Sequence, residues 1–180
     1  MSTRIPAVNP AAVESKTREL FSVVKAKFGM IPNTLKTMAQ APAVLEGYLA
    51  LSAALGKGAL PHKTREMVAL NVSQNNGCEY CLSAHSLTAK MAGLAPDQIV
   101  AARRGQASDE KAQAILNLTQ NILERRGNVS DEQLADARAA GVTDAELVEV
   151  VGNVALMTVT NFLNNVAQTE LDFPKVSVAL

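Results

Sequence analysis

Helix punctuation constrains this chain more than any other feature. Start and stop signals for α-helices recur along its whole length, and no segment sustains the apolar–polar alternation of a half-buried strand. Asn9-Pro10 offers a cap and a proline at the first helical position. Val13, Leu20, Phe21, Val24 and Phe28 follow at near-helical spacing until Gly29 stops them. Asn33 can cap a short helix ending at Met38. Pro42 opens a helix to about Leu55, and Pro61 opens an apolar segment containing Met67, Val68, Leu70 and Val72. Gln74-Asn75-Asn76-Gly77 reads as a turn. The next helix begins at Cys78 and reaches Met91 or Ala92, with Gly93 just beyond its end. Further helices are expected over 97–104 and 109–126. Ser130 with Gln133, and Thr143 with Glu146, have capping-box spacing. The terminal VSVAL is too short to read as a strand. The expectation is an all-α protein, a bundle of eight or nine helices.

Composition agrees. Hydrophobic residues make up 48% of the 180 positions, yet aromatics only 3% and Trp none, which describes Ala-, Leu- and Val-rich packed helices. The length suits one domain over 1–180, and no low-complexity linker divides it. Seventeen basic residues balance seventeen acidic ones, and the pI is near 6.7, so the footprint of a nucleic-acid partner is missing. No apolar run approaches the roughly 20 residues of a membrane span, so no membrane partner is expected. The first residues lack the apolar stretch of a signal peptide, which leads to the expectation of a cytoplasmic protein. A weak internal echo lays Glu66 over Glu146, and Cys78, Cys81 and His85 over Thr158, Asn161 and Asn165. It reads as a duplicated helix pair whose second copy lacks the chemistry.

The chemistry gathers in Glu66 … Cys78-Glu79-Tyr80-Cys81-Leu82-Ser83-Ala84-His85, which holds both cysteines and one of the two histidines. Spacings of three and four place Cys78, Cys81 and His85 in one stripe of a helix. Free N–H groups and the positive dipole end at a helix start favour a thiolate. An imidazole one turn away can take the thiol proton or support the anion. Glu66 lies on the preceding helix; antiparallel packing across the Asn-Asn-Gly turn could bring it beside His85 and hold the imidazole protonated.

Blander readings stand beside this one. Cys78, Cys81 and His85 are also three zinc ligands, with His62 or Glu66 as a fourth, although a second two-ligand knuckle is absent. The cysteines could form a structural disulfide or be inert core residues. Glu66 could be an exposed charge pairing with Lys63 or Arg65. His62 reads as solvent-facing, and Tyr80 as packing or as a possible proton relay.

With Glu66, Cys78, Cys81 and His85 in the spacing E-x11-C-x2-C-x3-H, and with REMVAL and NNGCEYCLSAH around them, the sequence resembles the AhpD-like alkylhydroperoxidase branch of the carboxymuconolactone decarboxylase family. The resemblance spans about residues 30–170. It implies an all-α fold of repeated helical hairpins, assembled as a trimer or hexamer. It also implies reduction of a hydroperoxide by a thiol pair without cofactor or metal, regenerated by a thiol or dithiol reductant. Cys81 would then be the peroxidatic thiol and Cys78 the resolving one, with Glu66 and His85 as proton relay. Tyr80 stands where well-known members carry a second histidine. The alternatives are a decarboxylase acting on a lactone carboxylate, and a zinc or thiol redox sensor.

Overall fold

The computed structural model describes residues 3–180, apart from the side chain of Lys27. The described residues form nine α-helices and one 3₁₀ turn, with no strand. The all-α expectation holds. Its first boundary shifts: Asn9 caps only the 3₁₀ turn Pro10–Ala12, accepting from the Ala11 N–H at 3.0 Å. That single turn buries no residue, and one turn without a docking face does not sustain a helix nucleus. Helix α1 (Ser15–Phe28) therefore starts afresh and ends at Gly29, whose φ of 74° closes it. In α2 (Asn33–Met38) the cap position falls to Pro32, and Asn33 is already helical. The orphan N–H of Asn33 is taken instead by a remote carboxylate, Asp172 Oδ2, at 2.6 Å. Prolines precede or open α3 (Pro42–Leu55), α4 (His62–Asn75) and α6 (Pro96–Arg103), where a missing N–H costs nothing. Helix α5 (Glu79–Met91) lies between the last two. Asp109 caps α7 (Glu110–Arg125), and both expected capping boxes form, at α8 (Asp131–Ala139) and α9 (Asp144–Ala167).

Helix α4 is the axis of the bundle. Eight consecutive residues, 66–73, are buried on it, which happens only when neighbours cover a helix on every side; here they are α5, α6, α7 and α9. The main apolar cluster includes Val68, Val72, Ile115, Val150 and Met157 together with Cys78 and Cys81. A second joins Leu70, Leu82, Leu94 and Leu116. A third packs Phe21, Val24, Leu35, Met38 and Leu45. Truncating a fully buried leucine of this kind to alanine costs about 2–5 kcal/mol, so this packing fixes where α4 and α5 stand. The C-terminal segment after α9 forms no strand and straps the bundle. Val176 N–H donates to Ser83 Oγ, Gln74 donates to the Val178 carbonyl and Arg103 to that of Ser177.

Two expectations are corrected. The echo register sets the α4–turn–α5 hairpin opposite the single continuous helix α9 of 24 residues; the second segment is no copy of the hairpin. Helix α9 is also long and apolar enough, by length and composition, to cross a membrane. Its inward side, however, buries Asn153, Asn161 and Asn164 within the bundle.

Candidate active site

The turn between α4 and α5 positions both thiols. Gly77 adopts φ +60°, a conformation that strains any residue with a Cβ. Its N–H reaches the Gln74 carbonyl at 3.1 Å, and the Cys78 N–H reaches that of Ser73 at 2.9 Å. This pair of bonds is the Schellman closure of a helix. Cys78 is therefore the last residue tied to α4 and, at the same time, the N-cap of α5. Only three residues, Asn76, Gly77 and Cys78, join the two helices, so they fold back on each other and α5 lies along α4.

That packing brings Glu66 to His85. Glu66 Oε2 lies 2.8 Å from His85 Nδ1 and accepts the Thr88 hydroxyl at 2.5 Å, one turn further along α5. Lys63 and Arg65 are not its partners: Arg65 donates to the Leu60 carbonyl. His62 is exposed, as expected, yet its Nε2 lies 3.4 Å from Glu66 Oε1. Burial alone would raise the Glu66 pKa, but the charge and hydrogen bond of His85, the Thr88 hydroxyl and His62 together bring it below the ordinary value. Burial pulls His85 the other way, and the Glu66 carboxylate with the negative charge at Cys81 raises it above its ordinary value. The pair therefore favours carboxylate and imidazolium.

The two thiols, both free and buried, are driven apart. The Cys81 N–H donates to Cys78 Sγ at 3.3 Å, so the helix-start donor expected to aid a thiolate serves the other sulfur. Cys81 is nevertheless lowered well below the ordinary thiol value. The Cys78 thiol hydrogen bond is the largest cause; the His85 charge and the amides of Asn164 and Asn161 also overcome burial. Cys78 is raised far above it, by its hydrogen bond to Cys81, by burial and by the Cys81 charge. Of the two sulfurs, Cys81 is thus the one held as the anion, with Cys78 holding a proton towards it.

Helix α9 completes the site with residues that sequence reasoning missed. Asn164 Nδ2 donates to Cys81 Sγ at 3.3 Å, while its buried Oδ1 has no hydrogen-bond partner. Asn161 donates to Ser73 Oγ and accepts from Asn76, and Asn165 donates to the Asn76 carbonyl. These amides lock the turn that carries Cys78. Their signal was available: Asn161, Asn164 and Asn165 recur at helical spacing within an otherwise apolar run. Tyr48 of α3 was also missed. Burial and the charges of Cys81 and Glu66 raise its pKa, so it stays a neutral phenol beside two anions.

Tyr80 is placed elsewhere. Its hydroxyl donates to Asp172 Oδ2 at 2.5 Å and accepts from the Thr34 N–H at 3.2 Å, and its ring meets Phe173 edge-on at 5.7 Å. Burial and Asp172 raise its pKa. These contacts tie α5 to α2 and to the C-terminal strap. Glu66, Cys78, Cys81 and His85 are brought together, and the hydrogen bonds of Tyr80 lead away from them. Among the described residues no three His, Cys, Asp or Glu side chains are grouped to hold a metal ion.

Comparison with known proteins agrees with this geometry. Residues 42–121, which contain all four of these side chains, match the model of the carboxymuconolactone decarboxylase family. An uncharacterised Haemophilus influenzae protein is 41% identical over 70 residues, 38% of this chain and 57% of its own length. This chain therefore matches little more than half of that relative. Among solved structures, a peroxidase-related protein with an AhpD core from Ralstonia eutropha superposes with a TM-score of 0.84 at 23% identity, over 94% of this chain and 92% of its own. A peroxidase-related protein from Silicibacter reaches 0.79 at 22% identity, covering 92% and 91%. The debrominase Bmp8 reaches 0.78 at 19% identity, covering 96% and 94%. The central helices, residues 42–121, thus match the carboxymuconolactone decarboxylase family, and the chain as a whole has an AhpD-like fold.

Proposed function

We propose that the protein is a thiol-dependent peroxidase. The observation that carries this reading is the divergence of two adjacent buried thiols, one poised as an anion and one as its proton-holding neighbour, beside a carboxylate–imidazolium pair. The Cys81 thiolate attacks the terminal oxygen of a hydroperoxide. An S–O bond forms as the O–O bond breaks, and the departing alkoxide takes the proton of His85. Cys81 is then a sulfenic acid. Cys78 attacks its sulfur, the hydroxyl leaves as water with the Cys78 proton, and a Cys78–Cys81 disulfide results. An external thiol or dithiol returns both cysteines to the reduced state, so two electrons enter for each hydroperoxide reduced. Glu66 holds His85 in its charged form until it gives that proton to the alkoxide, and a proton delivered by the reductant restores it when the disulfide is reduced. Tyr80, given its hydrogen bonds, is a clamp rather than a relay in this scheme.

A decarboxylase would have to hold a carboxylate substrate, and among the described residues the cation acting on Cys81 is His85, already paired with Glu66. The likeness to a debrominase keeps reductive dehalogenation as a second use of the same two electrons. Anaerobic thiol titration before and after one equivalent of hydroperoxide tests the proposal, with mass spectrometry locating the oxidised sulfur. Two thiols should disappear per chain, Cys81→Ser should abolish turnover, and Cys78→Ser should accumulate sulfenic acid on Cys81. Retention of both thiols after contact with hydroperoxide, together with bromide release from a bromopyrrole, would move the assignment to dehalogenation.

A further inference from the structure

Asn164 is a buried amide with only one end in use. It is 4% exposed and stands in the last turn of α9. Its backbone carbonyl accepts the N–H groups of Gln168 and Thr169, which close that helix and fix the backbone carrying the amide. The side-chain Nδ2 donates to Cys81 Sγ at 3.3 Å and acts on Cys78 as well, so the amide stands over the junction of the two sulfurs. The other end, Oδ1, is sealed from solvent and has no hydrogen-bond partner among the described residues. A buried acceptor left in that state costs stability, and a fold that keeps one calls for a reason. Asn71 Oδ1 is the other orphaned amide oxygen, but its amide faces the carbonyls of Ala102 and Arg103. The remaining orphans are Ser and Thr hydroxyls, which rotate to suit their surroundings.

The other acceptors near Cys81 are engaged. Asn161 also acts on Cys81, and its Oδ1 accepts from Asn76 Nδ2 at 2.9 Å. Glu66 Oε2 holds His85 and the Thr88 hydroxyl. The reduced site has no donor for Asn164 Oδ1, because the thiolate carries no hydrogen and Cys78 turns its own towards Cys81. In the proposed cycle, oxidation brings one: the hydroperoxide leaves its terminal O–H on the Cys81 sulfur. The nitrogen and oxygen of an amide share one carbon, so Oδ1 lies within an amide's width of that sulfur.

Resting on the peroxidase reading, we infer that Asn164 Oδ1 accepts the O–H of the Cys81 sulfenic acid and holds that group for attack by Cys78. The hydrogen stays on the sulfenic oxygen and points at Asn164, which leaves the lone pairs of that oxygen for the Cys78 proton. As the S–S bond forms the S–O bond breaks, and water leaves with both hydrogens. The contact also protects the site. An acceptor aimed at an O–H favours the protonated form over the anion, and the sulfenate anion is the form that a second hydroperoxide carries on to sulfinic acid. Asn164 therefore serves the thiolate with its N–H and the sulfenic acid with its carbonyl, without turning.

Quenched time courses with hydroperoxide at alkaline pH, where Cys81 is ionised, test this. Mass spectrometry separates the rise of Cys81 sulfenic acid from its loss to the disulfide. Asn164→Leu removes the acceptor and Asn164→Asp retains one, while both lose the donor. The disulfide step should slow roughly tenfold in Asn164→Leu, about the worth of one hydrogen bond, and sulfinic acid should build up under excess hydroperoxide. Asn164→Asp should close the disulfide at close to the wild-type rate. Should Asn164→Leu lose its helical circular dichroism, the smaller Asn164→Val removes the same oxygen. A disulfide step in the apolar variant within about twofold of wild type, or one slowed equally in Asn164→Asp, would overturn the inference and leave the peroxidase reading intact. Wild-type protein that forms neither sulfenic acid nor disulfide would overturn the peroxidase reading, and this inference with it.

Discussion

Asn164 offers the sharpest test of how Cys81 is held as an anion. Its side-chain N–H is the donor that α9 places 3.3 Å from the sulfur, in a site where Cys81 is 3% exposed. Water cannot easily replace the bond there. A hydrogen bond to a charged group is worth about 1.5–3 kcal/mol, and one pKa unit corresponds to about 1.4 kcal/mol. Asn164→Leu, which keeps the volume and removes the donor, should therefore raise the Cys81 pKa by about 1–2 units. Asn164→Asp should raise it at least as much, because a carboxylate would face the thiolate. Below the thiol pKa the anionic fraction, and with it the rate of the first step, falls about 10- to 100-fold. Above both pKa values the rates converge. Thiolate ultraviolet absorbance followed against pH in a Cys78→Ser background reads the pKa of the one remaining thiol. Alkylation by neutral iodoacetamide reads its reactivity. A pKa within about 0.3 unit of the parent in both variants would reduce Asn164 to a packing residue and leave His85 and Cys78 as the supports of the anion.

Other outcomes follow from the same contacts. Glu66→Gln should lower the rate of the peroxide step by about 10²–10⁴-fold at neutral pH, with partial recovery at alkaline pH. Adding His85→Ala should change little further, because the pair acts as a unit; rapid-mixing kinetics that show additive losses would separate the two residues. Stability should follow the same pair. Glu66 is lowered from its usual 4.5, so its contribution is complete above that value and fades as pH falls through the folded one; His85 is raised from 6.5, so its contribution is complete below that value and fades as pH rises through the folded one. The difference in urea midpoint between wild type and Glu66→Gln should peak between these two values, and a difference flat with pH would contradict the charge pairing. Gly77→Ala should destabilise the protein by about 1–2 kcal/mol, since φ there is left-handed; an unchanged melting temperature would show that the turn relaxes.

The parts of the site legible in the sequence are those written in local spacing. Cys78, Cys81 and His85 lie on one helix, and Asn76-Gly77 announces the turn that folds Glu66 back on them. The donors on α9 were hidden because asparagine inside an apolar run reads as a weak helix residue or a turn. Only the packing of α9 across the α4–α5 junction shows that these amides face a sulfur and a bare carbonyl. Tyr48 was hidden similarly, as one phenol in a helix that reads as featureless core. The cap of α2 was misassigned to Asn33 because the true acceptor, Asp172, lies 139 residues away, beyond any local pattern. The C-terminal strap has no periodicity to read at all; its order comes from contacts distant in sequence, among them those with Ser83, Gln74, Arg103 and Tyr80.

The division of labour between the cysteines also could not come from spacing, because C-x-x-C is nearly symmetric as a pattern. The asymmetry is made by position. Cys78 is pinned by its backbone to the end of α4, is wholly buried, and receives a backbone N–H on its sulfur. Cys81 sits one turn into α5, where His85 lies a turn beyond and α9 faces it with amides. The anion is therefore stabilised mostly by groups that keep their place when it reacts, namely two fixed amides and an imidazolium anchored to Glu66. The exception is the Cys78 thiol. As Cys81 is oxidised that hydrogen bond loses its acceptor, and the same sulfur becomes the nearest nucleophile to the new sulfenic acid. In the proposed cycle, the contact that most strongly lowers Cys81 before reaction is also the contact that resolves it afterwards.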